Sequence, residues 1–272
     1  MLDTKYQKFY DEIVKKIKKE KIFTDKLHTF AYGTDASFYR LIPKIVIKAD
    51  NAKEVQDIIE LSHSMDLSIT FRAGGTSLSG QAISDSILVI TSRNFSNFRI
   101  ASDASSISLQ PALTGAQVNG LLAKYSKKIG PDPASIGSAM ILGIAANNAS
   151  GMCCGTDQNS YKTIADIRIV LYDGTILDTS DEKSKLDFTE KHPEIIREIE
   201  KLRDKIKADN TLTERIKQKY KIKNTTGYSI NALVDYEDPF DIIKHLMIGS
   251  EGTLAFTSDI IYHTVVDEKY KA

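Results

Sequence analysis

The sequence predicts an α+β fold in two lobes, divided near residue 97. Three observations lead there. Residues 44–90 carry a strand, a capped helix and two further strands, the pattern of a βαβ unit. After Asn97 the strands become short and alternate apolar with polar, as half-buried strands do. Asp173-Gly174, set between two apolar runs, marks a hairpin in the second lobe, whose sheet is expected to be mainly antiparallel and flanked by helices.

Leu2, Tyr6, Phe9, Tyr10, Ile13, Val14 and Ile17 recur at spacings of three and four, which predicts an amphipathic helix that docks on a core. Residues 1–30 are assigned to that docking element, 31–97 to the first lobe and 98–272 to the second. Lys44 to Lys48 reads as a strand. Asn51 and Glu54 form a capping-box pair ahead of Val55, Ile58 and Ile59. Ser68 to Phe71 and Ile87 to Ile90 read as strands, the first two strands being parallel. In the second lobe Phe98 to Ile100 and Ile107 to Leu109 are strands, and Thr114 with Gln117 opens a helix bearing Val118, Leu121, Leu122 and Tyr125. Asp166–Leu171 and Thr175–Leu177 flank the hairpin turn. Residues 183–223 form a charged helical excursion, with Thr211 and Glu214 capping one helix and lysines on a solvated face. Asp238-Pro239 starts a last helix, and Gly252 to Ile261 returns as strand.

The 272 residues, 42% hydrophobic and 26% charged, suit a folded chain rather than a disordered one. Thirty-six basic side chains balance thirty-six acidic ones, so no global field draws nucleic acid, and no nucleic-acid partner is expected. Cys153 and Cys154 are adjacent, which excludes a disulfide framework and points to a reducing compartment. The first residues lack a signal peptide's apolar core, and no run approaches the ~18 apolar residues of a membrane span. The expectation is a cytoplasmic protein, any association with the inner membrane being made through a full-length protein.

Chemistry concentrates in glycine-rich segments. In Arg72-Ala73-Gly74-Gly75-Thr76-Ser77-Leu78-Ser79-Gly80, small residues let main-chain N–H groups converge on an anion. The hydroxyls of Thr76, Ser77 and Ser79 and the charge of Arg72 would add to that pull. The same residues also suit a plain glycine-rich turn. No lysine follows Gly80, so the loop is no P-loop, and its spacing misses G-x-G-x-x-G. From Gly130 to Gly155 two prolines are followed by almost only small side chains, which leaves room for a flat ligand or for a tightly packed helix. Asn147, Asn148 and Ser150 are polar groups in that setting and need partners if buried. Gly249 to Leu254 is a third glycine-bracketed turn. The five histidines, His28, His63, His192, His245 and His263, are scattered without metal-ligand spacing, so no metal site is expected.

Together these segments resemble the flavin-binding domain of the FAD-linked oxidase family, the vanillyl-alcohol oxidase-type fold. Within it the chain looks most like the FAD domain of bacterial FAD/iron–sulfur D-lactate dehydrogenases. Residues 72–80, Asp132-Pro133 with Asn148 to Met152, and Gly249 to Leu254 carry the likeness. Ala31 to Ser37 and Lys223 to Tyr228 add to it.

The resemblance implies a two-lobed FAD-binding domain of that type. It places the FAD pyrophosphate on the backbone of Arg72, Ala73, Gly74, Gly75, Thr76, Ser77 and Leu78. It lays the flavin ring and ribityl chain along Pro131, Asp132, Ala139, Met140, Gly143, Asn147, Asn148, Ala149, Ser150 and Gly151, with Glu251 and Gly252 closing the cleft. Relatives with covalent flavin often place a histidine where Thr76 stands, so dissociable FAD is expected. The implied activity is FAD-dependent oxidation of a 2-hydroxy acid such as D-lactate, with hydride passing to flavin N5. Electrons would leave toward a quinone or cytochrome through an iron–sulfur cluster in another domain, since Cys153 and Cys154 cannot supply four thiolates. The family's cap domain and histidine-rich motif have no counterpart in these residues. The chain is therefore expected to be an incomplete enzyme, inactive alone and holding FAD weakly, and no catalytic base is named. A non-catalytic FAD-binding or docking module, or another flavoenzyme on the same fold, remains an alternative.

Overall fold

The structure is a computed structural model that describes residues 2–269. Met1 and residues 270–272, the last of the expected second lobe, lie outside the described residues.

Four strands build the first sheet: β1 (Ile22–Phe23), β2 (Ile45–Ala49), β3 (Ile69–Arg72) and β4 (Ile87–Thr91), in the order β1-β2-β4-β3. β4 runs parallel to both β2 and β3, while β1 pairs antiparallel with β2. The expected parallel pair is thus parallel but not adjacent, because β4 slots between its members. Burial explains the order. Ile87, Leu88 and Val89 are fully buried and suit the interior, whereas Ile69, Thr70 and Phe71 are half-buried and suit an edge.

α1 (Thr4–Ile13) is capped by Asp3 and buries Phe9 and Ile13 in the same core as β2 and β4, with Ile17 following. Each such side chain contributes roughly 1.5–3 kcal/mol by leaving water. α2 (Lys26–Ala31) follows β1. α3 (Ala52–Ser64) starts at Asn51, whose side chain accepts from Glu54 N at 2.9 Å. The Glu54 carboxylate reaches one residue further back than a capping box requires, to Asp50 N at 2.8 Å, and its other oxygen holds Lys21 Nζ at 2.6 Å.

The second sheet contains β5 (Phe98–Ile100), β6 (Ser106–Leu109), β7 (Lys127–Ile129), β8 (Ile164–Val170), β9 (Ile176–Asp178) and β10 (Phe256–Val266). The order is β5-β6-β10-β8-β9, β7 pairing with the far end of β10, and every pairing is antiparallel. The β8–β9 hairpin turns at Asp173-Gly174, with Gly174 at φ +82°. Leu171 N bonds Thr175 O across it, so the loop is a three-residue one rather than the two-residue turn that Asp-Gly most often makes. β10 starts at Phe256, later than the expected Gly252, because Glu251 and Gly252 both adopt positive φ and cannot extend a strand.

α4 (Gly115–Leu122) carries the full Thr114–Gln117 capping box, and α5 (Ile141–Asn147) is the short helix inside the small-residue segment. α6 (Ser160–Thr163) precedes β8. The charged excursion forms α7 (Glu182–Lys191), α8 (Pro193–Ala208) and α9 (Asn210–Lys219). α9 is capped by Asp209, whose carboxylate accepts from Leu212 N at 2.9 Å, and not by Thr211. An aspartate directly before the helix binds the free N–H that Thr211, already inside it, cannot reach. α10 (Ala232–Asp235) and α11 (Pro239–Met247) complete the lobe, Asp238 capping the latter.

The two sheets meet through apolar and polar contacts. Leu142, Val170 and Phe256 of the second lobe join the first lobe's core, and the Phe71 and Phe256 rings lie 4.8 Å apart. Gln56 Nε2 donates to Gly174 O at 2.8 Å, docking the hairpin turn on α3. Among the described residues no helix is long and apolar enough to cross a membrane.

Candidate functional site

β3 ends at Arg72, and the chain then runs as a loop to β4. Gly75 at φ +64° and Gly80 at φ +78° take conformations that favour glycine. A Cβ at Gly74 would stand 2.6 Å from Ser138 O, so the loop backbone lies directly on residues 138–140. Among the described residues, no main-chain N–H from Gly74 to Leu78 donates to a protein acceptor. Ala36 N bonds Gly75 O and Ala82 N donates to Asp35 Oδ2 at 3.4 Å, which braces the loop from outside.

Arg72 does not supply the charge expected of it. Its guanidinium is buried and donates from Nε to Ala82 O at 2.7 Å, with Nη2 on the same carbonyl. Burial lowers its pKa, against the pull of Asp35. The arginine ties the loop's end to its beginning because the Ala82 carbonyl, turned inward, needs a donor.

The small-residue segment supplies the facing wall. A Cβ at Gly143 would meet a single neighbour within 4 Å, Ala73 Cβ at 3.7 Å, so the face of α5 is bare there. Further along, Gly151 approaches Asp132 so closely that an added Cβ would lie 2.1 Å from Asp132 O. Asp132 Oδ1 accepts from Gly151 N at 2.9 Å and Cys154 N at 3.2 Å. Burial would lift that carboxyl, but bonds from Cys154 and Gly151 outweigh it and hold the pKa below the usual range. Asn148 ends α5 in the left-handed region, φ +51°, and its Oδ1 accepts from Tyr161 N at 3.3 Å.

The turn before β10 closes the end of α5. Gly249 N donates to Ala145 O and Glu251 N to Ala146 O, satisfying carbonyls at the helix terminus. Glu251 is partly buried beside Asn147, and burial raises its carboxyl pKa while the Asn147 bond opposes the rise.

A cavity of about 360 Å³ lies between these walls. It is lined by Ala73, Gly74, Gly75, Thr76, Ser77 and Leu78 on one side, by Ala139, Met140, Gly143, Asn147, Ala149 and Ser150 on the other, and by Glu251 and Gly252. Arg72, Pro131, Asp132, Asn148 and Gly151 are not on its wall. Arg72, Asp132 and Gly151 instead hold the wall segments in place. Sequence reasoning missed Phe71, Ala82, Ser135, Phe256 and, above all, Lys223 and Thr225 as lining residues. Lys223 is the one cation among the described lining residues, and its Nζ bonds Ser150 O. The signal was present in the Lys223 to Tyr228 stretch, which the resemblance picked out without giving it a role. Ser150 Oγ, buried at the same end, has no hydrogen-bond partner among the described residues. No group of described residues could hold a metal ion.

Known proteins resemble the chain in sequence and in overall fold. Over 92% of its length the chain is 25% identical to D-2-hydroxyglutarate dehydrogenase of Haemophilus influenzae, covering 26% of that protein. Over 50% of its length it is 32% identical to the mitochondrial D-lactate dehydrogenase (cytochrome) 1 of Saccharomyces cerevisiae, covering 24% of it. The chain thus spans about a quarter of the length of these curated relatives. Among solved structures, alkyldihydroxyacetonephosphate synthase superposes with a TM-score of 0.65 at 15% identity, over 99% of this chain and 43% of that one. The 4-ethylphenol oxidase of Gulosibacter chungangensis gives 0.63 at 11% identity, over 98% and 44%. At such identities the shared property is the fold, that of the vanillyl-alcohol oxidase type. Residues 43–180, half the chain, match the family model described as FAD binding domain, and the chain belongs to that family.

Proposed function

We propose that the cleft holds FAD without a covalent bond, and that the chain serves an oxidoreductase acting on 2-hydroxy acids. The observation that carries this reading is the row of unpartnered amides from Gly74 to Leu78 on the wall of a cavity whose opposite wall is bare at Gly143. Unpaired N–H groups in a concave loop are what a diphosphate requires. The residues fit the group at the other end also, where the orphan hydroxyl of Ser150 awaits a partner.

The amides of Gly74 to Leu78, with Thr76 and Ser77, hold the diphosphate. Ala139, Met140, Gly143, Asn147, Ala149 and Ser150 flank the ring system, and Glu251 with Gly252 bounds the cleft. Arg72, Asp132 and Gly151 act by fixing those walls. A bound flavin supplies the acceptance of a hydride from the substrate's α-carbon, while the protein supplies position and exclusion of water. Thr76 cannot form the linkage to flavin that histidine forms, which favours dissociable cofactor. The substrate class follows the relatives named for D-2-hydroxyglutarate and D-lactate. A hydroxy acid's carboxylate would find Lys223 as the cation of the cleft.

Gly143→Leu tests the reading. The substitution fills the bare face of α5 with a better helix former, so the melting temperature should hold or rise. FAD affinity, followed by quenching of flavin fluorescence on titration, should fall at least about tenfold, or 1.4 kcal/mol. Unchanged affinity in the folded variant would overturn the proposed position of the cofactor.

A further inference from the structure

Behind the cleft lies a second cavity of about 180 Å³, walled by α6, the end of α9 and the segment that follows it, and α10. Its partition from the cleft is a single thickness of chain. Lys223 and Thr225 face the cleft while Ile222 and Asn224 face the second cavity, and Asn147 and Ala149 face the cleft while Asn148 faces the other way. Adjacent residues of the same strands of chain therefore serve different spaces.

The chemistry of the second space is distinct. Lys162, Lys217 and Lys221 line it. Lys217 is engaged by Glu214 at 2.9 Å, but among the described residues the Lys221 ammonium makes no ion pair or hydrogen bond, and the Lys162 ammonium meets only the Tyr161 ring. On the inner wall Asp235 Oδ2 accepts from Tyr161 OH at 2.8 Å and from Asn231 Nδ2 at 3.0 Å. That leaves Asn231 Oδ1, on a side chain only 6% exposed, buried without a partner. A buried carbonyl oxygen needs a donor, and two uncommitted ammonium groups at the mouth favour negative charge.

We propose that this cavity binds a small hydroxylated dianion, a phosphate monoester or a dicarboxylate. Its charged end meets Lys162 and Lys221, and its hydroxyl donates to Asn231 Oδ1 once that amide turns toward the cavity, the oxygen being otherwise closed off from solvent. The volume equals about six waters at ~30 Å³ each, which admits a short-chain metabolite. Because the cationic groups are at the mouth, affinity falls as salt rises.

The experiment titrates the full chain calorimetrically, at low salt and without added flavin, with sn-glycerol 3-phosphate, with malate and with n-propyl phosphate, which keeps the charge and lacks the hydroxyl. Saturable binding of glycerol phosphate or malate is expected, and the tighter of the two identifies the anionic group. Propyl phosphate should bind at least about tenfold more weakly than glycerol phosphate, and the double variant Lys162→Ala/Lys221→Ala should lose at least about tenfold for the tighter ligand. Both lysines are exposed and outside the cleft wall, so the variant's melting temperature without ligand should equal that of the parent. Saturation by neither dianion would overturn the proposal, as would equal affinity for the two phosphates. Binding unaffected in the double variant would assign the anion to the cleft and overturn it equally.

Discussion

Asn147 Nδ2 at the end of α5 donates to Glu251 Oε1 at 2.6 Å, a bond across 104 positions of the chain. It joins the small-residue segment to the turn before β10 at the cleft wall. Burial raises the Glu251 pKa above that of an unfolded carboxylate, so the folded state holds this proton to a higher pH than the unfolded chain does. This group therefore favours folding most at low pH, and that contribution declines as pH rises through the unfolded pKa toward the folded one. Glu251→Gln keeps the acceptor for Asn147 and removes the charge. Its melting temperature at pH 7 should exceed the parent's by up to about 2–4 °C, the shift that 1 kcal/mol produces in a chain of this size. Thermal scans should show the gap closing below pH 4.5.

Arg72→Lys tests whether Arg72 closes the loop rather than contacts ligand. A single ammonium cannot reproduce the paired donation to Ala82 O. Loss of a bond to a buried carbonyl costs about 1–3 kcal/mol, to be read from urea midpoints. FAD affinity should fall with it and be recovered, at least in part, when stabilising osmolyte restores the loop. A loss of affinity at unchanged stability would instead place the guanidinium on the ligand.

At Gly74 even a methyl group is excluded by Ser138 O. Gly74→Ala should push the loop off residues 138–140, at a cost of about 1–3 kcal/mol for overpacking. Flavin titration should show weaker binding than in Gly143→Ala, whose methyl meets only Ala73.

His245 supplies a pH dependence of the opposite kind. It is 4% exposed, its Nδ1–H donates to Asp241 O at 2.7 Å, and it stacks on Tyr236 at 3.9 Å between centroids. Burial lowers its pKa to about 4. The unfolded chain takes up this proton near pH 6.5 and the folded one only near 4, so stability is lost as pH falls through that interval. The loss reaches up to about 3 kcal/mol at pH 4. In His245→Phe, denaturant titrations should show a flatter profile between pH 6.5 and 4.

Local chemistry made much of this fold readable. Thr114 and Gln117 form their capping box because both partners lie within one turn, and Asp173-Gly174 turns where it must because Gly174 takes a positive φ. What escaped is non-local. β4 lies between β2 and β3 because its side chains are the more deeply buried, a comparison that only the assembled sheet decides. The glycine loop and the bare helix face were legible as small-residue segments. The inward turn of Arg72 was not, since it answers to a carbonyl ten residues away. Lys223 enters the cleft from the last position of the charged excursion, whose lysines read as a solvated face.

β10 is the spine of the second sheet, pairing with β6, β7 and β8, whose paired residues precede it by 86 positions or more. On the ribosome, the first sheet and its helices can assemble while those strands still lack their common partner. The unsatisfied edges of β6 and β8 must wait until residue 266 has left the exit tunnel. Contacts of such sequence separation form slowly, and exposed edges during the delay invite aggregation. Assembly of this lobe therefore waits for β10 to emerge, and its yield in cells should respond to chaperone supply more than that of the first lobe.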